Sequence, residues 1–336
     1  MEENFNLNEG SKNGGQKPTL ILSHEDIISL NIPLIECIKA VEEVLKEHAQ
    51  GKVKLKPKLS IKRDGGIFFT AMPAYVEKLN KIGIKWVNRI PTKVTSPRIT
   101  GTMLLNDPDS ADLLAVMEAT WITAIRTGAV AALTAKNLGK PNFETISFIG
   151  LGNTATAALK CMLELCPHIK KVKAYNYNNS AQRFFDQFSD KKQENNLEFE
   201  ICDEMEDIFL GTDVVVTAVT YAAKPFVKKE WLFDGILAIP IHTRGWQDCD
   251  PLFDKVYADD HGHVIDFMPQ ITGELGEVIL GLKPARENDQ EKIMAYNIGI
   301  AIDDVAISNL VYKTALERGV GKKMKLSNFT SKSCFI

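Results

Sequence analysis

The sequence predicts an α/β protein in two parts. One is a Rossmann-type parallel sheet that binds a dinucleotide, and the other is an α+β part with an antiparallel sheet or open barrel. Three observations lead there. Residues 53–118 hold short strand-like runs divided by Gly, Pro and Asn. Residues 145–259 alternate strand-like runs with helical stretches, the pattern of βαβ units. Where the second region begins, "TISFIGLGNTATAALKCMLEL" (145–165) gives a strand, a glycine turn and a helix in the order that a pyrophosphate site needs.

Residues 1–18 are polar and lack an apolar h-region, so a disordered tail is expected rather than a secretory or transit peptide. Residues 24–49 carry helical periodicity through Ile35, Ile38, Val41, Val44 and Leu45. Strand-like runs follow: "LSIK", "GIFFTAM", "IGIKWVNRI" and "TGTMLLND", then the turn "NDPDSAD" (106–112) and the run "LLAVMEA". "WITAIRTGAVAALTAKNLG" (121–139) reads as a helix of small apolar residues with Arg126 inside it and no acid within four positions. An unpaired buried guanidinium costs several kcal/mol, on the order of 3–5, so an anion must meet it. The candidates are a substrate carboxylate, cofactor phosphates or a distant acid.

The parallel sheet is expected from "TISFIG" (145–150), "KVKAYNY" (171–177), "EFEIC" (198–202), "DVVVTAVT" (213–220), "GILAIPI" (235–241) and "KVYAD" (255–259), with helices at 153–165 and 179–189. "NIGIAIDDVAISNLVYKTALERG" (297–319) reads as one amphipathic helix closed by Gly319. It should return to the first part, because the parallel sheet is complete without it. The expected division is therefore 19–120 plus 300–325 for one domain and 121–299 for the other.

At 336 residues the chain can build two cores, and 45% hydrophobic with 25% charged residues is ordinary for a soluble protein. A formal net charge of -3 gives no footprint for nucleic acid or an anionic membrane. No apolar run approaches the ~20 residues of a membrane helix. Six scattered cysteines without a C-x-x-C pair point to reduced thiols in the cytoplasm. The C-terminal "SKSCFI" misses the prenylation pattern.

In Gly150-x-Gly152-x-x-Ala155 each small residue has a task. The first glycine permits the tight turn, the second lets a pyrophosphate reach the backbone, and Ala155 allows close helix–strand packing. The helix N-terminus then offers free N–H groups to the anion. The next strand ends in Asn176, Tyr177 and Asn178. An acid there would select the NAD ribose and an Arg just after it the NADP phosphate, so the choice between NAD and NADP stays open.

The blocks "GIKWV", "LLAVMEATWITAIRTGAVAALTAKNL", "GELGEVILG" and "GIAIDD", set around the Gly-x-Gly turn, resemble the ornithine cyclodeaminase/mu-crystallin family from about residue 20 to 320. The resemblance implies a homodimer whose first domain binds substrate and dimerises. It also implies NAD(P) and hydride transfer at an amino-acid α-carbon. It places the substrate lysine on Lys85 and the carboxylate-region arginine, close to the cofactor as well, on Arg126. Cofactor contacts fall on Thr100, on Gly150, Leu151, Gly152, Asn153 and Thr154, on Asn176, Tyr177 and Asn178, and on Thr220 and Asn297. Two positions depart from the family pattern. A second substrate arginine is replaced by Leu59 or Ser60, with Lys58 the nearest cation. The catalytic Asp of cyclodeaminases is replaced by His242 in "LAIPIHTRGW".

Taken alone, Lys85 in a strand reads as solvated; the resemblance makes it a carboxylate clamp or proton donor. His242 follows a buried strand at the edge where α/β sheets bind ligands, and reads either as a general acid/base or as a loop histidine. His261 and His263 have no third metal ligand at helical spacing and read as an exposed loop; no metal is expected. Asp303 and Asp304 read as helix-dipole partners, and Glu274 and Glu277 as structural. The expected activity is NAD(P)-dependent oxidation or reduction of the CH–NH/C=N bond of an amino acid or imine. The alternatives are an ornithine/lysine cyclodeaminase that recycles its NAD and a non-catalytic crystallin-like binder.

Overall fold

Period-two alternation over residues 67–118 produces the first of two sheets. The computed structural model describes residues 17–91, 97–194, 196–219, 222, 224–242 and 245–326. All but Lys17 and Pro18 of the expected 1–18 tail lies outside them, as do Thr220 and Cys334. The N-terminal elements are β1 (Thr19–Leu22), α1 (His24–Ser29), α2 (Leu34–Ala49), β2 (Val53–Leu55), β3 (Leu59–Arg63), β4 (Ile67–Val76), β5 (Lys81–Arg89), β6 (Ile99–Asn106), β7 (Leu113–Glu118) and α3 (Thr120–Leu138). With β16 (Lys322–Met324) the strands form one sheet in the order β16-β1-β7-β6-β5-β4-β2, and β3 also pairs with β4. Only β1 and β7 run parallel in it.

The helical periodicity over 24–49 resolves into two helices. Pro33 has no N–H to give a continuing helix, so the chain breaks there and Pro33 takes the N-cap position of α2. Ser23 and Asp26 close a capping box on α1.

The second sheet uses β8 (Thr145–Ile149), β9 (Lys171–Tyr175), β10 (Glu198–Cys202), β11 (Val214–Thr217), β12 (Leu237–Pro240), β13 (Lys255–Ala258), β14 (Gly273–Glu274) and β15 (Ile293–Tyr296). Its order is β10-β9-β8-β11-β12-β15-β13-β14, and every ladder is parallel. The connected helices are α4 (Asn153–Leu165), α5 (Ala181–Asp186), α6 (Ser189–Glu194), α7 (Leu275–Ile279) and α8 (Ala301–Arg318). The strand order reverses between β8 and β11, the place where ligands bind at the carboxyl edge of such sheets.

Two close packings need glycine. A Cβ on Gly128 of α3 would lie 2.6 Å from the Ala157 carbonyl of α4, so only glycine permits this helix spacing. A Cβ on Gly276 of α7 would lie 2.1 Å from the Leu45 carbonyl oxygen of α2. The closing helix begins at Ala301 rather than 297, because Gly299 turns the chain with φ +80°. It packs on β4, β5 and β6 of the first sheet and on α2 and α3. Five described cysteines, Cys37, Cys161, Cys166, Cys202 and Cys249, are buried free thiols.

Candidate active site

Lys85 lies on the inner face of β5, because alternation sets it opposite to Ile84 and Trp86. It is 0% exposed, which overturns the solvated reading. Arg126 reaches the same place from α3 and is 5% exposed. Both end on Asp304 of α8. Its Oδ1 accepts from Lys85 Nζ at 2.7 Å and from Arg126 Nε at 3.1 Å. A distant acid thus meets Arg126, and Asp304 is no dipole partner at a solvated helix end. Residues 301–309 of α8 are all buried. Asp303 is buried too, with neither carboxylate oxygen hydrogen-bonded among the described residues. Removing one member of such a buried pair typically costs about 3–5 kcal/mol.

Burial, together with the Arg126 charge, pushes Lys85 down to about 7, against the pull of Asp304. Lys58, between β2 and β3, is lowered to about 8 by burial and by Arg126. Burial raises Asp303 well above the usual carboxylate range and also raises Asp259. The cluster therefore holds cations poised to change state near neutrality, beside carboxyls that resist ionising.

The end of β15 ties this cluster to the carboxyl edge of the parallel sheet. Lys58 Nζ donates to the Ile298 carbonyl at 2.6 Å, and the Gly299 N–H donates to Asp259 Oδ2 at 2.5 Å. A Cβ on Gly299 would sit 1.8 Å from Arg126 Nη1, so a glycine is required where α3 meets the chain between β15 and α8. Asn297 is buried; its Oδ1 accepts from Thr134 Oγ1 at 3.2 Å, and its Nδ2 has no partner among the described residues.

Along the same edge, Gly150 turns with φ +89°, and a Cβ there would meet the Ala218 backbone at 2.7 Å. Leu151, Gly152, Asn153 and Thr154 lead into α4, whose N-terminus has no side-chain cap. A Cβ on Gly152 would meet nothing within 4 Å. Open space over uncapped N–H groups fits a dinucleotide pyrophosphate. Asn176 donates from Nδ2 to Asp203 Oδ1 at 2.8 Å, and Tyr177 is 65% exposed beside it. Asn178 adopts φ +52°. The sequence reading missed Asp203, which comes from the end of β10 and not from β9. Thr100 pairs with Asn88 across β5 and β6 and donates to its Oδ1 at 3.0 Å, on the sheet face opposite to Lys85.

His242 stands at the carboxyl end of β12. Its Nε2 is 2.9 Å from Thr217 Oγ1, which also accepts from Trp246 Nε1 at 2.9 Å.

The expected exposed loop at His261 and His263 is instead packed. The His263 side chain is 4% exposed, with Nδ1 2.6 Å from Asp260 Oδ1. His48 of α2 brings Nε2 to 3.1 Å from Asp260 and Nδ1 to 3.4 Å from Glu274. Ligating atoms of His48, Asp260 and Glu274 lie within 4.8 Å of one another. Separate ring nitrogens face the two carboxylates; burial works against the imidazole charge, but the bond to Asp260 and the Glu274 charge outweigh it and raise the proton affinity of His48. Burial works against the Asp260 charge, but bonds to His263 and His48 outweigh it and hold its carboxyl well below the usual range. Glu274 and Glu277 form a capping box on α7.

The family model described as ornithine cyclodeaminase/mu-crystallin matches residues 17–319. The chain is 34% identical to an alanine dehydrogenase of Archaeoglobus fulgidus, over 91% of this chain and 98% of that one. An N-((2S)-2-amino-2-carboxyethyl)-L-glutamate dehydrogenase of Staphylococcus aureus is 29% identical over 86% and 93%. Among solved structures, an archaeal alanine dehydrogenase dimer with bound NAD superposes with a TM-score of 0.83 at 31% identity, covering 92% of this chain and all of that one. A Thermococcus litoralis Δ1-pyrroline-2-carboxylate reductase, in complex with NADH and L-proline, gives 0.81 at 27% identity over 90% and 99%.

Proposed function

Because this chain belongs to the ornithine cyclodeaminase/mu-crystallin family, we propose that it is an NAD(P)-dependent oxidoreductase acting on the CH–NH/C=N bond of an amino acid or its imine. One observation carries this reading. Lys58 and Arg126 meet the carboxyl edge of a dinucleotide-type sheet at Ile298 and Gly299, and Lys85 joins Arg126 on the Asp304 carboxylate. The bound dinucleotide supplies or accepts the hydride. Gly150–Thr154 hold its pyrophosphate and Asn176–Asn178 its ribose. Arg126 and Lys58 hold the substrate carboxylate, and Lys85 exchanges a proton with the substrate nitrogen. His242 stands where the cyclodeaminase Asp is expected and cannot supply that carboxylate. Fixing the two reactants face to face is worth about 7 kcal/mol or more.

The division into 19–120 plus 300–325 and 121–299 belongs to the same proposal, supported by the packing of α8 on β4, β5 and β6. So does a homodimer. Leu59, Ile61, Ile82 and Trp86 expose apolar side chains on one face of the first sheet, and the archaeal alanine dehydrogenase is a dimer. Among the described residues no helix is long and apolar enough to cross a membrane. We place the protein in the cytoplasm on its free thiols.

The test is a screen of amino acids, and of 2-oxo acids with amines, against NADH and NADPH in parallel. A stoichiometric change in NAD(P)H absorbance is expected, abolished by Arg126→Ala. Ammonia release from ornithine or lysine with only catalytic NAD would point to a cyclodeaminase instead.

A further inference from the structure

Asp304 has no place in the reading above, yet Lys85 and Arg126 both converge on it. We propose that Asp304 is the positioning residue of the site: through a single carboxylate oxygen it fixes Arg126 and keeps Lys85 able to deliver a proton to the substrate nitrogen. This rests on the oxidoreductase reading.

The geometry is specific. The two cations come from β5 and α3, 219 and 178 residues away in sequence, and share Oδ1 at 2.7 and 3.1 Å. Oδ2 is buried and has no partner among the described residues. A carboxylate placed only to tie elements together is expected to have both oxygens satisfied. The groups acting on Lys85 are Asp304 from α8, Arg126 from α3 and Lys58 from the β2–β3 connection, with Asp303 and Asp259 facing Arg126 and Lys58. Of these, Asp304 alone both touches Lys85 and favours its charged form. Without it, Lys85 would be a buried amine facing two cations and would give up its proton.

In the reducing direction the imine carbon gains the hydride, and NAD(P)H is oxidised by two electrons. The C=N π pair becomes the new N–H bond, with its proton taken from the Lys85 ammonium. Lys85 is left neutral and regains a proton from solvent. Asp304 takes no part in the proton transfer itself.

The test reads Lys85 directly in the full chain. Lysine is labelled with carbon-13 at the ε position, and the Lys85 resonance is identified by its loss in Lys85→Met. In Asp304→Asn the Lys85 titration midpoint should fall by about one pH unit or more, a tenfold loss of proton affinity. The high-pH limb of reductive turnover should move down with it. Asp304→Glu keeps the charge but shifts the anchor. It should hold the midpoint within about half a unit and still cut turnover roughly tenfold or more. An unmoved midpoint in Asp304→Asn, or full turnover in Asp304→Glu, overturns the proposal. If the midpoint moves as stated while no amino acid or imine is turned over, the coupling stands and the oxidoreductase reading falls.

Discussion

The glycine loop at the carboxyl end of β8 and the ionic cluster under α8, the two sites of the proposed function, are built by opposite means. The loop is exposed and uses the backbone. Gly150 makes the turn, Gly152 leaves open space, and the first turn of α4 presents free N–H groups. The cluster is buried and uses side chains. Lys85, Arg126 and Asp304 arrive from a strand and two helices and meet on one oxygen atom. The loop needs only local chain geometry, so it tolerates side-chain change that leaves the backbone in place. The cluster depends on three elements packing together, so a displacement on any of them reaches the chemistry.

Gly299 is the sharpest place to separate the two. Gly299→Ala adds a methyl 1.8 Å from Arg126 Nη1 at a φ of +80°, without touching the glycine loop. Turnover is expected to fall about 100-fold while NADH affinity, read by fluorescence titration, stays within about threefold. Equal losses in both would mean that the sites are not independent. A smaller effect should come from the other side. Asp203 is exposed and holds Asn176 at 2.8 Å, and its charge would oppose a 2'-phosphate at the proposed ribose position. Asp203→Asn should tighten NADPH binding by up to about fivefold and leave NADH binding and turnover unchanged. No change in the NADPH:NADH affinity ratio would remove Asp203 from cofactor choice.

The same contrast explains what the sequence could reveal. The strand, turn and helix around Gly150 are contiguous, so residues 145–165 predicted β8 and α4 with the helix bounds Asn153–Leu165 intact. Arg126 stood out because its own helix offers no acid. Lys85 was placed on a strand, but its burial depends on α8 covering that face, which strand periodicity does not contain. Asp304 was misread because its contacts span 178 and 219 residues. A local hint was nevertheless present: Asp303 and Asp304 sit between the apolar residues Ala301–Ile302 and Val305–Ile307. The two-residue β14, the short strands β1 and β16 and the four-residue β15 were missed because so few residues carry too little periodicity.

The most direct test of the account compares both sites in one preparation of Lys85→Met. Methionine replaces the amine at similar length in a buried position, and it leaves Gly150–Thr154 unaltered. The account predicts loss of amino-acid or imine turnover by at least about 100-fold, with NADH affinity within about threefold of the parent chain. Full turnover, or NADH binding lost together with it, would contradict the account.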